Sequence, residues 1–145
     1  MREKMRLIAL VLLFVVTDVS SADAPVGQWE CVDRTQAALT LLTCYRLDES
    51  IRAFEKLSRD CDLEPFDKFQ LAIARIMSGD RDAGFKTMSV AIQDAENRND
   101  DALAEVLKRE EAALRSRLDQ IESISFQELQ AEAARRNPEC KKKHE

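Results

Sequence analysis

The sequence predicts an all-α chain of antiparallel helical hairpins, about six helices in a short stack fastened by disulfides. Three observations predict it. Glycine and proline number only three each in 145 residues, while Ala, Leu, Glu, Arg, Lys and Gln, the strong helix formers, dominate the chain after residue 22. No stretch sustains the apolar/polar alternation with β-branched residues that marks a half-buried strand. Four cysteines, Cys31, Cys44, Cys61 and Cys140, follow an export-type leader, a setting in which an even count reads as two disulfides.

The leader occupies residues 1–22. Arg2, Lys4 and Arg6 give a basic start, Leu7 to Val16 is unbroken apolar, and Ser20-Ser21-Ala22 supplies small residues for a signal peptidase. The apolar run is about half of the roughly 20 residues that a bilayer span needs. The expectation is therefore an exported protein, periplasmic in a bacterium and otherwise secreted, with no membrane contact after cleavage. The remainder divides into a lead-in at 23–30, two hairpins at 31–98, capping helices at 99–136 and a charged tail at 137–145.

Start and stop signals place each helix in turn. Asp33 with Gln36 resembles a capping box and opens a helix to about Cys44. Asp48 caps a second helix to about Asp60. Pro65 suits the first turn of a third, which ends near Ser78-Gly79. Asp80 caps a fourth to about Asn97, and Asn99 a long fifth to about Glu122. Ser125 with Glu128 is a capping box for a sixth, which stops before Asn137-Pro138. The short connections make sequential helices antiparallel neighbours.

The sequence also matches itself without gaps at an offset of about 34 residues. Residues 31–64 laid on 65–98 pair Leu39 with Ile73, Leu42 with Ile76, Ile51 with Phe85, Phe54 with Met88 and Leu57 with Ala91. Small residues recur in step: Ala38 and Ala72 in mid-helix, Ser50 and Gly84 early in the following helix. Helices of one hairpin approach closely at such points. This pattern resembles the tetratricopeptide repeat (TPR). The match runs through Leu71-Ala72, Gly79-Asp80, Gly84-Phe85, Met88 and Ala91-Ile92 in the second unit, and Ala37-Ala38, Ser50-Ile51, Phe54 and Leu57 in the first. Arg34, Lys68, Leu41 and Arg75 stand where that family has aromatics, and Asp62 and Glu96 where it has its closing proline. A third unit at 99–132 fails at Glu105, Glu110 and Glu122. The resemblance implies a short TPR-like solenoid or bundle whose concave face binds peptides or partner helices, and it implies no chemistry.

Catalytic signatures are missing. The single histidine, His144, lies in the charged tail, away from any nucleophile. No glycine-rich phosphate loop and no C-x-x-C pair occurs, so neither a cofactor nor a metal is expected. The formal net charge of −5 disfavours a nucleic-acid partner. Trp29, the only tryptophan, is expected to cover one end of the core.

One apolar surface is over-supplied. The third helix is apolar on nearly all sides, and Phe66, Phe69, Ile73 and Ile76, with Leu39 and Leu42 from the first unit, would line the concave groove. Either the chain's own stripes fill it (Leu107, Leu114, Leu118 and Ile121, then Phe126 and Leu129) or an outside partner does, another protein or peptide or a second copy of the chain. The expected function is thus a non-catalytic protein-binding module, such as an adaptor, an envelope assembly factor or a toxin inhibitor or immunity protein. The alternative is a carrier of a small apolar ligand in a Phe66/Phe69 cavity.

Geometry selects the disulfide pairing. Cys31 and Cys44 bracket one helix, which at about 1.5 Å per residue holds them roughly 20 Å apart, beyond the ~7 Å a disulfide spans. In an antiparallel hairpin Cys31 comes beside Cys61, which leaves Cys44 for Cys140. The second bond closes a loop of roughly 100 residues, worth about 4–5 kcal/mol in the chain-entropy model.

Overall fold

The computed structural model describes residues 26–141. The signal peptide expected at 1–22, the first lead-in residues and His144 lie outside the described residues. Among those described there are seven α-helices and no strand: α1 Val26–Thr43, α2 Leu47–Asp60, α3 Pro65–Met77, α4 Arg81–Asn97, α5 Asp101–Ser116, α6 Leu118–Glu122 and α7 Phe126–Arg136, closed by a 3-10 turn at Pro138–Lys141. From α1 to α5 each helix packs on the next, and α1 also touches α3.

Several boundaries differ from the sequence reading. Helix α1 continues upstream through Trp29 and Cys31 instead of starting at Asp33; nothing in Val26–Val32 opposes helix except Gly27, which is weak as a breaker at a helix start. The α2 N-cap is Arg46, so Asp48 falls in the first turn. Asp100, not Asn99, caps α5 by accepting from the Leu103 N–H at 3.1 Å. The long fifth helix breaks at Arg117 into α5 and α6. Asp80 and Ser125 cap α4 and α7. The start of the tail forms a 3-10 turn at Pro138–Lys141, in which Cys140 is buried and bonded.

The turns after α1, α3 and α4 share one geometry. At each, the residue after the C-cap is left-handed: Tyr45 (φ 57°), Gly79 (φ 99°) and Asn99 (φ 59°). Its N–H bonds back to Leu42, Ile76 or Glu96, and the next N–H to Leu41, Arg75 or Ala95, the paired bonds of a Schellman motif. Glycine and asparagine suit this conformation; a tyrosine there costs about 1–2 kcal/mol of backbone energy.

Small residues set the spacing inside each hairpin. The Ser50 hydroxyl, fully buried, donates to the Ala38 carbonyl across the α1–α2 contact at 2.9 Å. In the second hairpin a Cβ on Gly84 would stand 3.0 Å from the Ala72 carbonyl oxygen and collide with the Ile76 side chain, so only glycine fits. Around these contacts form two apolar clusters. Ala38, Leu39, Phe54, Leu57, Leu63 and Leu71 seal the first hairpin. A larger cluster runs from Leu42 through α3 and α4 to Leu107, Leu114 and Ile121.

Two disulfides staple the stack. Cys31–Cys61 joins the start of α1 to the residue after α2, with Cα atoms 6.0 Å apart; Cys44–Cys140 joins the α1–α2 turn to the C-terminal 3-10 turn, at 5.4 Å. This is the pairing that the hairpin geometry selects. Two disulfides fit an oxidising compartment. No helix among the described residues is long and apolar enough to cross a membrane.

Candidate functional site

The six residues assigned to a concave groove do not form an open one. Leu39, Leu42, Phe69, Ile73 and Ile76 are buried, and Phe66 is half-buried. The chain covers them itself: Leu107, Leu114 and Ile121 belong to the same cluster as Leu42, Phe69, Ile73 and Ile76, and Leu118, Phe126 and Leu129 pack against it. Leu39 instead serves the first hairpin's own core. The cover comes from Leu107 and Leu114 of α5 and Ile121 of α6, with Leu118, Phe126 and Leu129 packed against the same cluster. Trp29, expected over one end of the core, is 37% exposed.

An open concavity lies elsewhere. A cleft of about 440 Å³ sits where the α1–α2 turn, the start of α2, the end of α3 and the start of α7 meet. Tyr45, Leu47, Met77 and Phe126 supply apolar surface; Arg46, Asp48, Glu49, Arg52, Ser78, Gln127 and Gln130 supply polar groups. Its volume falls within the usual range for binding sites.

Each wall is fixed locally. The Tyr45 ring, half-buried against the main cluster, lies beside Phe126 with centroids 6.3 Å apart. Burial, helped by the Glu132 carboxylate, pushes the Tyr45 hydroxyl above its ordinary range, so it is a neutral donor at physiological pH. Arg46 holds Glu49 in a forked pair, with Nε to Oε1 at 2.9 Å and Nη2 to Oε2 at 2.6 Å, which pins both side chains on the cleft wall. Cys44–Cys140 lies next to Tyr45 and ties down the end of the segment that carries Phe126, Gln127 and Gln130. The formal charges of Arg46, Arg52, Asp48 and Glu49 cancel. The cleft is therefore amide- and aromatic-rich without a net charge, suited to peptide groups and apolar side chains.

A second polar region, at the opposite end of the hairpins, is an ion-pair network. Arg98 reaches Asp62, Glu64 and Asp94, and Lys68 reaches Asp94 at 2.8 Å. Asp94 loses some solvation, but the hydrogen bonds from Lys68 and Arg98 outweigh that and hold its carboxyl below the usual range. Asp67, close by in α3, is the reverse case: burial, reinforced by Glu64, pushes it up to about 6. The network ties the α2–α3 loop to the end of α4. Among the described residues no three His, Cys, Asp or Glu side chains gather as a metal site would require.

Sequence reasoning passed over Tyr45, Arg46, Arg52, Phe126, Gln127 and Gln130 as a group. One signal was present: the internal repeat lays Tyr45 opposite Gly79, so a tyrosine stands where the backbone wants glycine. Such an outlier points towards function. Arg52, Gln127 and Gln130 carry no such mark, since exposed polar residues on helices are ordinary.

No protein-family model, curated protein or solved structure matches this chain.

Proposed function

We propose that this chain is an exported, non-catalytic protein-binding module that engages a peptide segment of its partner in the cleft between Tyr45 and Phe126. The observation that carries the reading is the left-handed Tyr45, a ring set at the cleft on backbone that favours glycine. Tyrosine, arginine and aromatic anchors are the side chains that concentrate binding energy at protein interfaces. An apolar side chain of the partner enters between Tyr45, Met77 and Phe126, while Gln127 and Gln130 exchange hydrogen bonds with its peptide groups. The stapled scaffold favours such a role, because a preorganised surface loses little entropy on binding. Within this class the chain serves as an adaptor, an assembly factor or an inhibitor of an exported toxin. Carriage of a small apolar ligand has less support, because Phe69 is buried in a filled core.

The test is affinity capture from the source organism's own exported fraction. The wild-type chain, Arg52→Glu, Gln130→Arg and the distant surface variant Val90→Ala are compared. The expected result is a partner retained by wild type and Val90→Ala and lost by the two cleft variants. A partner retained equally by all four overturns the assignment to the cleft.

A further inference from the structure

The charged groups of the cleft differ in what answers them. Arg46 and Glu49 close on each other, with Nη2 to Oε2 at 2.6 Å. Asp48 stands in the first turn of α2, where the helix N-terminus carries about half a positive charge that offsets a carboxylate. Arg52, one turn further along α2, has no such compensation. Among the described residues it makes no ion pair and no hydrogen bond, although Asp48 lies four residues before it, and it stands exposed on the cleft wall. The other unengaged groups are chiefly donors: the Tyr45 hydroxyl, which burial keeps protonated, and the Gln127 and Gln130 amides.

We infer that the cleft selects an acidic peptide segment, in which an Asp or Glu stands beside the apolar residue that enters between Tyr45 and Phe126, and that Arg52 takes its carboxylate. The inference rests on the reading of the cleft as a peptide site and adds which peptides that site accepts. A guanidinium is the side chain whose planar fork of donors matches a carboxylate. The Gln127 and Gln130 amides and the Tyr45 hydroxyl then donate to the carbonyls beside it. Asp48, already offset by the helix end, does not cancel the attraction.

The acidity of the rest of the chain sharpens the choice. The formal net charge is −5, so most of the surface repels an acidic segment, and like charges brought together at an interface suppress wrong placements. An uncompensated arginine beside two aromatic rings gives such a segment one place to settle. Its carboxylate fixes the register, and the apolar residue next to it fills the space over Met77.

The test pans a phage-displayed library of random linear peptides on the full chain with both disulfides formed. Enriched peptides are expected to carry Asp or Glu next to an aromatic or large aliphatic residue. Amide chemical-shift mapping is expected to place them against the start of α2 and the start of α7. A synthetic copy of the best binder is expected to hold wild type about tenfold or more tightly than Arg52→Glu, and to weaken as salt is raised. The same peptide with its acidic residue changed to lysine is expected to show the reverse preference. Should Arg52→Glu fail to fold, Arg52→Gln replaces it, with a smaller loss in the same direction. Peptides that map to the cleft without an acidic residue, or that bind wild type and the Arg52 variant equally, overturn this inference and leave the cleft reading standing. Peptides that map elsewhere, or a selection that enriches none, overturn both.

Discussion

Helix α3 buries nine of its 13 residues, and α7, with 11, buries none. The two helices have similar length, but α3 is apolar on nearly all sides and α7 only along a narrow stripe, and different means hold them. Helix α3 is clamped between α2 and α4, close to Gly84 on one side and Leu71's cluster on the other. Helix α7 lies on a stack already complete and is secured by a ring contact, a leucine and a disulfide. The comparison teaches that this chain fixes its hairpins by packing and its C-terminal segment by covalent attachment. The cleft forms where the two regimes meet, with Met77 from the packed region facing Phe126 from the attached one.

Truncating one phenylalanine in each region breaks the comparison most directly. Phe54 is fully buried, so Phe54→Ala is expected to lower stability by about 3–5 kcal/mol. Phe126→Ala, at a half-buried ring, is expected to remove only about 1 kcal/mol. Urea unfolding followed by circular dichroism measures both, and equal losses would mean that α7 is as integral as α2. Gly84→Ala comes next. Better helix propensity offsets about 1 kcal/mol, but the collision with Ile76 dominates, and a net loss of about 2 kcal/mol is expected by the same measurement.

Asp67 gives a smaller effect of opposite sign. Its folded pKa of about 6 lies above the unfolded value of about 3.9. The folded state therefore binds the proton more tightly, and the destabilisation is complete above about pH 6 and relieved as pH falls through 6 towards 4. A two-unit shift corresponds to about 3 kcal/mol at full strength; solvent screening of a half-buried group reduces this to about 1–2 kcal/mol. Asp67→Asn is expected to stabilise the protein by that amount at pH 7 and by nothing at pH 4, as read from urea midpoints at the two pH values. The smallest change is Ser125→Ala. It removes the α7 cap, in which the hydroxyl accepts from the Glu128 N–H, and should cost about 1 kcal/mol. Hydrogen exchange should show the loss confined to α7; a uniform loss across the chain would contradict the division into two regimes.

Much of this was legible in the sequence, for identifiable reasons. Asp80 and Ser125 announce α4 and α7 because a capping side chain acts within its own turn. Ala38 with Ser50 and Ala72 with Gly84 mark the closest helix approaches, because only small residues permit them. Where local chemistry was permissive the reading slipped. Helix α1 gains its first turns upstream of Asp33, and the fifth helix breaks at Arg117 without proline or glycine. The groove residues show the limit most clearly: Phe69 and Ile73 read as needing cover, with the chain's own Leu107, Leu114, Leu118, Ile121, Phe126 and Leu129 or an outside partner as the two candidates, and no local signal chose the first, which the structure shows.

By itself the sequence determined the all-helical class, the hairpin order and the pairing of Cys31 with Cys61 and Cys44 with Cys140. These follow from propensity, caps and the rigid length of a helix, all local or nearly so. Only the tertiary structure decided that Leu107, Leu114 and Ile121 join the cluster of α3 and α4, with Phe126 and Leu129 packed against it, and that an open cleft lies between Tyr45 and Phe126. That outcome depends on the direction the chain takes after Arg117. No single residue encodes that direction, which is set by the joint burial of Leu114, Ile121 and Leu129 against helices far away in sequence.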